Sequence, residues 1–105
     1  MEYESKLKSK ETDELFEGIL LLETKEECYR FFDDVCTIKE LQALAQRFQV
    51  ANLLEKKRTY SEIEEITKAS TATISRVNRC LVYGADGYKL VFKKLKQSRS
   101  ESAGK

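Results

Sequence analysis

Small polar side chains and two arginines follow one another in the segment STATISRVNRC, residues 70–80. Serine and threonine hydroxyl groups bind base edges and phosphates in DNA, and an alanine or a threonine methyl group contacts the methyl group of thymine. A recognition helix enters the major groove with its N-terminal turn, so bulky side chains there would exclude it. The residues at the start of this segment that are expected to face outward have small side chains: Thr71, Ala72, Thr73 and Ser75. The segment fits a DNA-contacting helix, although a core helix pair of a small α-helical domain would also use such residues.

The surrounding residues 59–81 have the order of a helix-turn-helix. A short helix is predicted first, with Ile63 and Ile66 turned toward the core. A brief turn follows at Lys68-Ala69. Many helix-turn-helix sequences have glycine where Lys68 stands and a small residue where Glu64 stands. Without that glycine, the turn is expected to use a backbone geometry that a Cβ atom tolerates.

Ser70 is predicted to cap the second helix of this motif. In that helix Ile74, Val77 and Leu81 recur at three- and four-residue spacing, which indicates a stripe that packs on the core. The other side is expected to contact DNA. Base contacts are expected from Thr71, Ala72, Thr73 and Ser75, and contacts with phosphates or flanking bases from Lys68, Ser70, Arg76 and Arg79.

Helix starts are marked by the pattern Thr-x-x-Glu, in which the Thr oxygen accepts a free N–H group and the Glu reaches back to the N–H of the cap. This pattern occurs at Thr24–Glu27, Thr37–Glu40 and Thr59–Glu62. Thr12 or Asp13 is expected to cap the first helix, and Asp86 the last. With the apolar spacing, these signals predict an all-α chain of six helices. The expected spans are 13–22, 25–35, 38–57, 60–67, 71–82 and 87–96.

The third predicted helix is apolar on more than one face. One stripe has helical spacing and consists of Ile38, Leu41, Leu44, Ala45, Phe48 and Ala51. Three further apolar residues, Val50, Leu53 and Leu54, fall outside this stripe. A helix that is apolar on most sides is buried deeply in its own domain or against a second chain.

Charge is distributed unevenly between the two parts of the chain. Residues 1–66 contain 16 acidic and 10 basic side chains, a net charge of −6. Residues 67–105 contain 9 basic and 2 acidic side chains, a net charge of +7. This split favours an anionic partner for the C-terminal part. A solvated basic tail would produce the same asymmetry, so charge alone does not separate the two interpretations.

Enzymes and metal proteins are disfavoured by the residue types present. Histidine is absent, and Cys28, Cys36 and Cys80 have no C-x-x-C spacing, so neither a metal site nor a disulfide framework is expected. Asp33 and Asp34 are adjacent, and their side chains project about 100° apart on a helix, so they do not share a site. We therefore expect no enzyme activity.

The chain is predicted to form one cytoplasmic domain with two polar ends. Its longest apolar run, Ile19–Leu22, is too short to span a membrane, and the N-terminus has no apolar signal-peptide region. The domain is expected to cover residues 12–96. A flexible segment is expected at 1–11 and a flexible basic tail at 97–105.

Several stretches resemble the tryptophan repressor superfamily, and more closely its shorter Firmicute branch of Trp-repressor-like proteins. The superfamily is matched by CTIKELQALAQRF (36–48) and TYSEIEEITKASTATISRVNRCLVYG (59–84). The closer branch is matched by YRFFDDVCTIKELQALAQR (29–47) and GYKLVF (87–92). The resemblance implies a six-helix, all-α fold in an intertwined homodimer, whose fourth and fifth helices bind a double-stranded DNA operator. It also accounts for the apolar third helix, because the first three helices and the last exchange contacts between chains.

The resemblance also implies part of a ligand site. In the superfamily a Thr at the start of the third helix and two arginines hold tryptophan, and these positions match Thr37, Arg47 and Arg76. Tryptophan-binding members have Gly and Ser where this chain has Val77 and Cys80. The branched side chain removes room beside the indole ring, and the missing hydroxyl removes a polar partner. Another small corepressor, or none, is therefore expected in place of L-tryptophan.

These observations favour a homodimeric, sequence-specific DNA-binding transcriptional regulator, with repression as the expected effect. A second hypothesis is a ligand-sensing or protein-interaction module in which the DNA-reading helix-turn-helix is degenerate. Selection of bound fragments from random DNA separates the two hypotheses. A ligand that binds while no DNA fragment is selected would support the second.

Overall fold

A computed structural model describes residues 3–103, with side chains through residue 100. Six α-helices and no strand occur in this part of the chain, which confirms the all-α prediction. They are α1 (Lys10–Ile19), α2 (Lys25–Val35), α3 (Ile38–Glu55), α4 (Tyr60–Thr67), α5 (Thr71–Tyr83) and α6 (Gly87–Ala103). The bounds of α2 and α4 are those predicted. Of the ends expected to be flexible, residues 1, 2, 104 and 105 lie outside the described part.

The first helix is displaced toward the N-terminus because Ser9, and not Thr12 or Asp13, is its N-cap. The Ser9 hydroxyl accepts the backbone N–H of Thr12 at 3.0 Å. The helix ends at Ile19, and the N–H groups of Leu21 and Leu22 then bond to carbonyls only three positions back. The expected span of 13–22 was therefore wrong at both ends, since the apolar run continues past the last helical turn.

Threonine caps start two other helices, as the Thr-x-x-Glu pattern predicts. The backbone N–H of Glu27 donates to the Thr24 hydroxyl at 3.1 Å. The Glu27 carboxylate accepts the N–H of Glu23 at 2.7 Å and not that of the cap, so only the threonine half of this predicted box forms. The box at α4 is reciprocal. The N–H of Glu62 donates to the Thr59 hydroxyl at 3.2 Å, and the N–H of Thr59 donates to the Glu62 carboxylate at 2.9 Å.

The capping box of α4 makes a small part of the stability depend on pH. Hydrogen bonds from Thr59, the backbone one foremost, together with nearby Arg58, lower the pKa of Glu62 below its ordinary value of 4.5. A carboxylate with a lowered folded-state pKa stabilises the fold above about pH 4.5, and this stabilisation is lost as the pH falls through the lowered value. Glu62→Gln should therefore unfold with a weaker pH dependence between about pH 5 and pH 3. Denaturant titrations at several pH values give the free energy of unfolding at each pH. The same change of that free energy with pH in both proteins would contradict the prediction.

The third helix ends at Glu55, two residues before the expected end, in a Schellman motif. The N–H of Lys57 donates to the carbonyl of Leu54, and the N–H of Arg58 donates to that of Leu53. This pair of bonds satisfies carbonyls that the helix leaves free, and it requires a left-handed residue after the helix. Lys57 supplies that conformation with φ 63°.

Gly84 terminates α5. Its backbone N–H donates to the carbonyl of Cys80, and a Cβ atom at Gly84 would overlap that carbonyl oxygen. The close approach of the two backbones therefore requires glycine at this position.

The last helix is seven residues longer than predicted, because it continues to Ala103 instead of ending at residue 96. Residues 97–103 contain neither proline nor glycine, and their polar side chains are compatible with an exposed helix. The part of the expected tail between 97 and 103 is thus helical.

The chain divides into two compact units, of which the first extends to Ile38 and contains α1 and α2. No residue of these two helices is buried within the single chain. Their large apolar side chains are half-buried or exposed, and Leu20, just after α1, is 81% exposed. The other exposed apolar residues of α1 and α2 are Leu15, Phe16, Tyr29 and Val35.

The second unit begins at Lys39 and contains the hydrophobic core. The buried core residues come from α3, α4, the turn after α4, and α5: Val50, Ala51, Ile63, Ala69, Ile74, Val77 and Leu81. Tyr88 and Phe92 of α6 pack against this core. The Phe92 ring lies 5.0 Å from that of Phe48, measured between centroids.

Burial in α3 and α4 differs from the prediction at specific positions. Ile63 is fully buried, but Ile66 is 50% exposed, so its expected inward orientation was wrong. In α3, Val50 is buried, whereas Leu44 and Phe48 of the predicted stripe are exposed. The C-terminal half of α3 thus serves the core of its own unit. Within residues 3–103, none of the helices combines the length and apolar character needed to cross a membrane.

Candidate nucleic-acid interface

One side of α5 forms a continuous exposed surface, which we term the recognition face. It consists of Thr71, Ala72, Ser75, Arg76 and Arg79, all of them exposed. Residues three and four apart are neighbours on a helix, so these five side chains lie on one face. The opposite face is buried through Ile74, Val77 and Leu81. The helix therefore presents small polar groups at its N-terminal end and two cations farther along.

The start of α5 is fixed by a cap that involves Ser70 and Thr73. The backbone N–H of Thr73 donates to the Ser70 hydroxyl at 3.1 Å, which confirms Ser70 as the N-cap. The two hydroxyl groups are also hydrogen-bonded at 3.1 Å. Thr73 is half-buried, so of the four predicted base contacts it is the least accessible.

The turn between α4 and α5 is held by the buried side chain of Thr67. Its hydroxyl donates to the carbonyl of Ile63 at 2.7 Å and accepts the N–H of Ala69 at 3.1 Å. From α3, the side-chain amide of Gln46 donates to the carbonyl of Thr67 at 3.1 Å. These bonds fix the turn to both α4 and α3, and buried polar groups satisfied in this way hold a single geometry.

Lys68 occupies the left-handed position of this turn, with φ 63° and ψ 15°. Its N–H donates to the carbonyl of Glu64 at 2.9 Å. The turn was expected to use a backbone geometry that a Cβ atom tolerates easily, but it uses the left-handed region that favours glycine. The bonds around the turn impose the left-handed conformation, which is unfavourable for a residue that has a Cβ atom.

Replacing Lys68 with glycine should raise the free energy of unfolding by up to about 1 kcal/mol, because glycine adopts this conformation without steric conflict. The gain is reduced by the greater freedom of glycine in the unfolded chain. Lys68→Ala is the matched control, since it removes the same charge but keeps the Cβ atom. Chemical denaturation compares the variants, and equal stability of the two would rule out backbone strain at Lys68.

A carboxylate lies next to the recognition face. The Thr71 hydroxyl donates a hydrogen bond to a carboxylate oxygen of Glu64, seven residues earlier on α4. Glu64 is half-buried and Thr71 is exposed. This bond joins the first residue of α5 directly to α4.

The cations of the recognition face are available to an external anion. Within the described part of the chain, neither Arg76 nor Arg79 forms an ion pair. The sequence of α5 contains no acidic residue. Lys68, in the turn, is also exposed. These three positive charges flank the small side chains, an arrangement suited to the phosphates on either side of a DNA groove.

The residues predicted to form a ligand site differ in burial and in the unit to which they belong. Thr37 directly precedes α3 and belongs to the first unit. In the second unit, Arg47 is half-buried on α3 and Arg76 is exposed on α5. Val77 is only 2% exposed and belongs to the core. A site formed by the two arginines stays a prediction.

Cys80 lies at an open cavity of about 430 Å³ that neither arginine lines. Its walls are apolar and come from α3, α5, α6 and the segment between α5 and α6: Phe48, Gly84, Ala85, Gly87, Tyr88 and Val91. The three cysteines are free thiols. No group of three potential metal ligands occurs among the residues that the structure describes.

Three residues that position α5 were not identified from the sequence: Gln46, Glu64 and Thr67. Gln46 and Thr67 are 21 residues apart in sequence, and no local pattern links them. Glu64 was noted only because small residues are common at its position. Thr67 had a local signal, since a threonine hydroxyl often bonds to the carbonyl four residues earlier in a helix.

Several known proteins resemble this chain in sequence and in fold. The family model described as Trp repressor protein matches residues 10–96. The uncharacterised protein YerC of Bacillus subtilis is 56% identical over 100 residues, which cover 95% of this chain and 96% of YerC. A candidate Trp repressor of Staphylococcus aureus has a crystal structure that superposes with a TM-score of 0.83 at 50% identity, over 87% of this chain and 91% of that one. The crystal structure of a TrpR-like protein of Eubacterium eligens superposes with a TM-score of 0.84 at 56% identity, over 87% of this chain and 94% of that one.

Proposed function

Because the chain belongs to the Trp repressor family, we propose that it is a sequence-specific DNA-binding transcriptional regulator. The observation that carries this proposal is the recognition face of α5, whose small polar side chains are exposed while its opposite side is buried in the core. The family is one of regulators and not of enzymes.

In the proposed complex, the N-terminal turn of α5 enters the major groove. Thr71, Ala72, Thr73 and Ser75 contact base edges there. The positive and capping residues around them hold phosphates or flanking bases: Lys68, Ser70, Arg76 and Arg79. The bonds of Thr67 and the cap at Ser70 support this mode of binding, because they fix the helix before DNA arrives and lower the entropy lost on binding.

We propose that the regulator is a homodimer. Support comes from α1 and α2, which have no buried residue in a single chain although they contain Leu15, Phe16, Tyr29 and Val35. Extended apolar surfaces on a small domain are normally covered by another chain. A two-fold dimer presents two recognition helices to half-sites about one helical turn, roughly 34 Å, apart. Sedimentation equilibrium should give twice the chain mass of 12.2 kDa.

Repression is the proposed effect, since a protein bound across an operator excludes other proteins from the same DNA. The proposed place of action is the cytoplasm, where bacteria keep their chromosome. For a small corepressor, the buried position of Val77 supports a ligand other than L-tryptophan, or none. Opening space for an indole ring there would require the core to repack.

Selection from random double-stranded DNA tests the proposed function. The full chain is used with and without a mixture of the common amino acids, and binding to the enriched sequence is measured at several salt concentrations. We expect a two-fold symmetric site and a logarithm of affinity that falls linearly with the logarithm of salt concentration. No enrichment in any condition would overturn the proposal, and an amino acid that binds without enrichment would favour a ligand-sensing or protein-interaction module.

A further inference from the structure

The hydrogen bond between Glu64 and Thr71 has a defined direction. An ionised carboxylate only accepts hydrogen bonds, whereas a hydroxyl group has one proton to donate and lone pairs that accept. The proton of Thr71 is therefore the one in the bond to Glu64. The groups left for an external partner are the lone pairs of the Thr71 oxygen and those of the Glu64 carboxylate.

The pair formed by Glu64 and Thr71 consequently offers acceptors and no donor. Thr71 is the exposed first residue of α5, at the end proposed to enter the groove, and half-buried Glu64 of α4 lies beside it. A phosphate has only acceptor oxygens and a negative charge, so this pair does not bind one. The groups that suit phosphates lie on either side of the pair instead. Lys68 and Ser70 precede Thr71, and Arg76 and Arg79 lie one to two turns farther along the helix.

In the major groove, the donors available to these acceptors are the exocyclic amino groups, N6 of adenine and N4 of cytosine, each with one hydrogen free of base pairing. Guanine and thymine present O6 and O4 acceptors instead, which would face a carboxylate without a proton between them. We propose that Glu64 and Thr71 act as an acceptor pair that selects an amino-bearing base, adenine or cytosine, at one position of each half-site. This inference rests on the proposed DNA-binding function and names a specificity residue on α4, outside the recognition face.

A control of equal charge separates base selection by Glu64 from a purely structural role. A carboxylate near DNA weakens binding to every sequence by repelling phosphates, so its removal raises general affinity whatever its role. Glu65 is the matched control, because it is the next residue on the same helix, is exposed and has the same charge. Only the loss of Glu64 should also change which base is preferred.

The experiment compares full-length Glu64→Ala, Glu65→Ala, Thr71→Val and Thr71→Ser with the unaltered chain, first by selection from random DNA and then on matched oligonucleotides. For the unaltered chain we expect adenine or cytosine at one symmetric position. Glu64→Ala and Thr71→Val should reduce that preference roughly tenfold, within the usual range for one mismatched base pair. Glu65→Ala and Thr71→Ser should keep the preference.

Base analogues identify the amino group without altering the protein. Purine in place of adenine removes N6, and 2-pyrimidinone in place of cytosine removes N4. The relevant analogue should weaken binding of the unaltered chain roughly tenfold and should have little further effect on Glu64→Ala. This arm remains decisive even where a variant folds poorly, which circular dichroism would reveal.

The outcomes separate the two proposals. If the unaltered chain enriches no sequence, the DNA-binding function itself fails. If it enriches an operator but amino-group deletion has no effect at any position, the acceptor pair is overturned while the function stands. The same conclusion follows if Glu64→Ala and Glu65→Ala raise affinity equally for all sequences and leave every base preference unchanged.

Discussion

Replacing Thr73 with aspartate is expected to lower affinity for the selected operator at least about a hundredfold, because like charges brought together in an interface cost several kcal/mol. The residue lies in the first turn of α5, where the helix would face the phosphates and base edges of the groove. The measurement is an equilibrium titration of labelled operator DNA at one fixed salt concentration.

The fold should survive Thr73→Asp. An acidic residue in the first turn interacts favourably with the helix dipole. The backbone N–H of residue 73 that donates to the Ser70 hydroxyl also remains in place. Thr73→Asn is the control, because it has nearly the shape of aspartate without the charge. If the two variants bind the operator equally, charge at this position does not govern binding and the placement of α5 in the groove is contradicted.

Ile63→Ala should lower the free energy of unfolding by about 2–5 kcal/mol, the usual range for truncating a fully buried isoleucine. Ile63 is completely buried between α3, α4 and α5. Removing three of its side-chain carbons leaves a cavity that the well-fixed turn after α4 cannot close. This is a large fraction of the stability expected for so small a domain.

Ile66→Ala is the matched control, since it makes the same chemical change three residues later on the same helix. Ile66 is half exposed, so we expect a loss below about 1 kcal/mol. Denaturant unfolding of both variants at one chain concentration gives the comparison, because association shifts apparent stability. Similar losses for the two variants would show that Ile66 is buried in the folded assembly.

Helix starts other than that of α1 were the most predictable part of the fold because their signals are local. Thr24, Thr59 and Ser70 each bond within the next three residues, so the pattern of residue types was sufficient to locate them. Helix ends were less predictable. Nothing in the residue types around Ile19 indicates that the helix stops within an apolar run, and residues 97–103 are compatible with either a helix or a tail.

The recognition face could be predicted because periodicity separates exposed from buried positions along the thirteen residues of α5. The same rule failed at Ile66, because α4 has only eight residues and two turns do not distinguish its faces clearly. The bonds of Gln46 and Glu64 were beyond prediction. Each depends on where separate helices meet, which residue types do not determine.

Because α1 and α2 have no buried residue in a single chain, pairing of chains should depend on how much of the protein is present. Under the proposed pairing, two chains must meet before either covers its apolar N-terminal helices. While single chains predominate, the number of paired molecules grows with the square of the chain concentration. Operator occupancy then rises more steeply than the amount of protein made. A modest change in synthesis or degradation would therefore act as a switch without any small molecule.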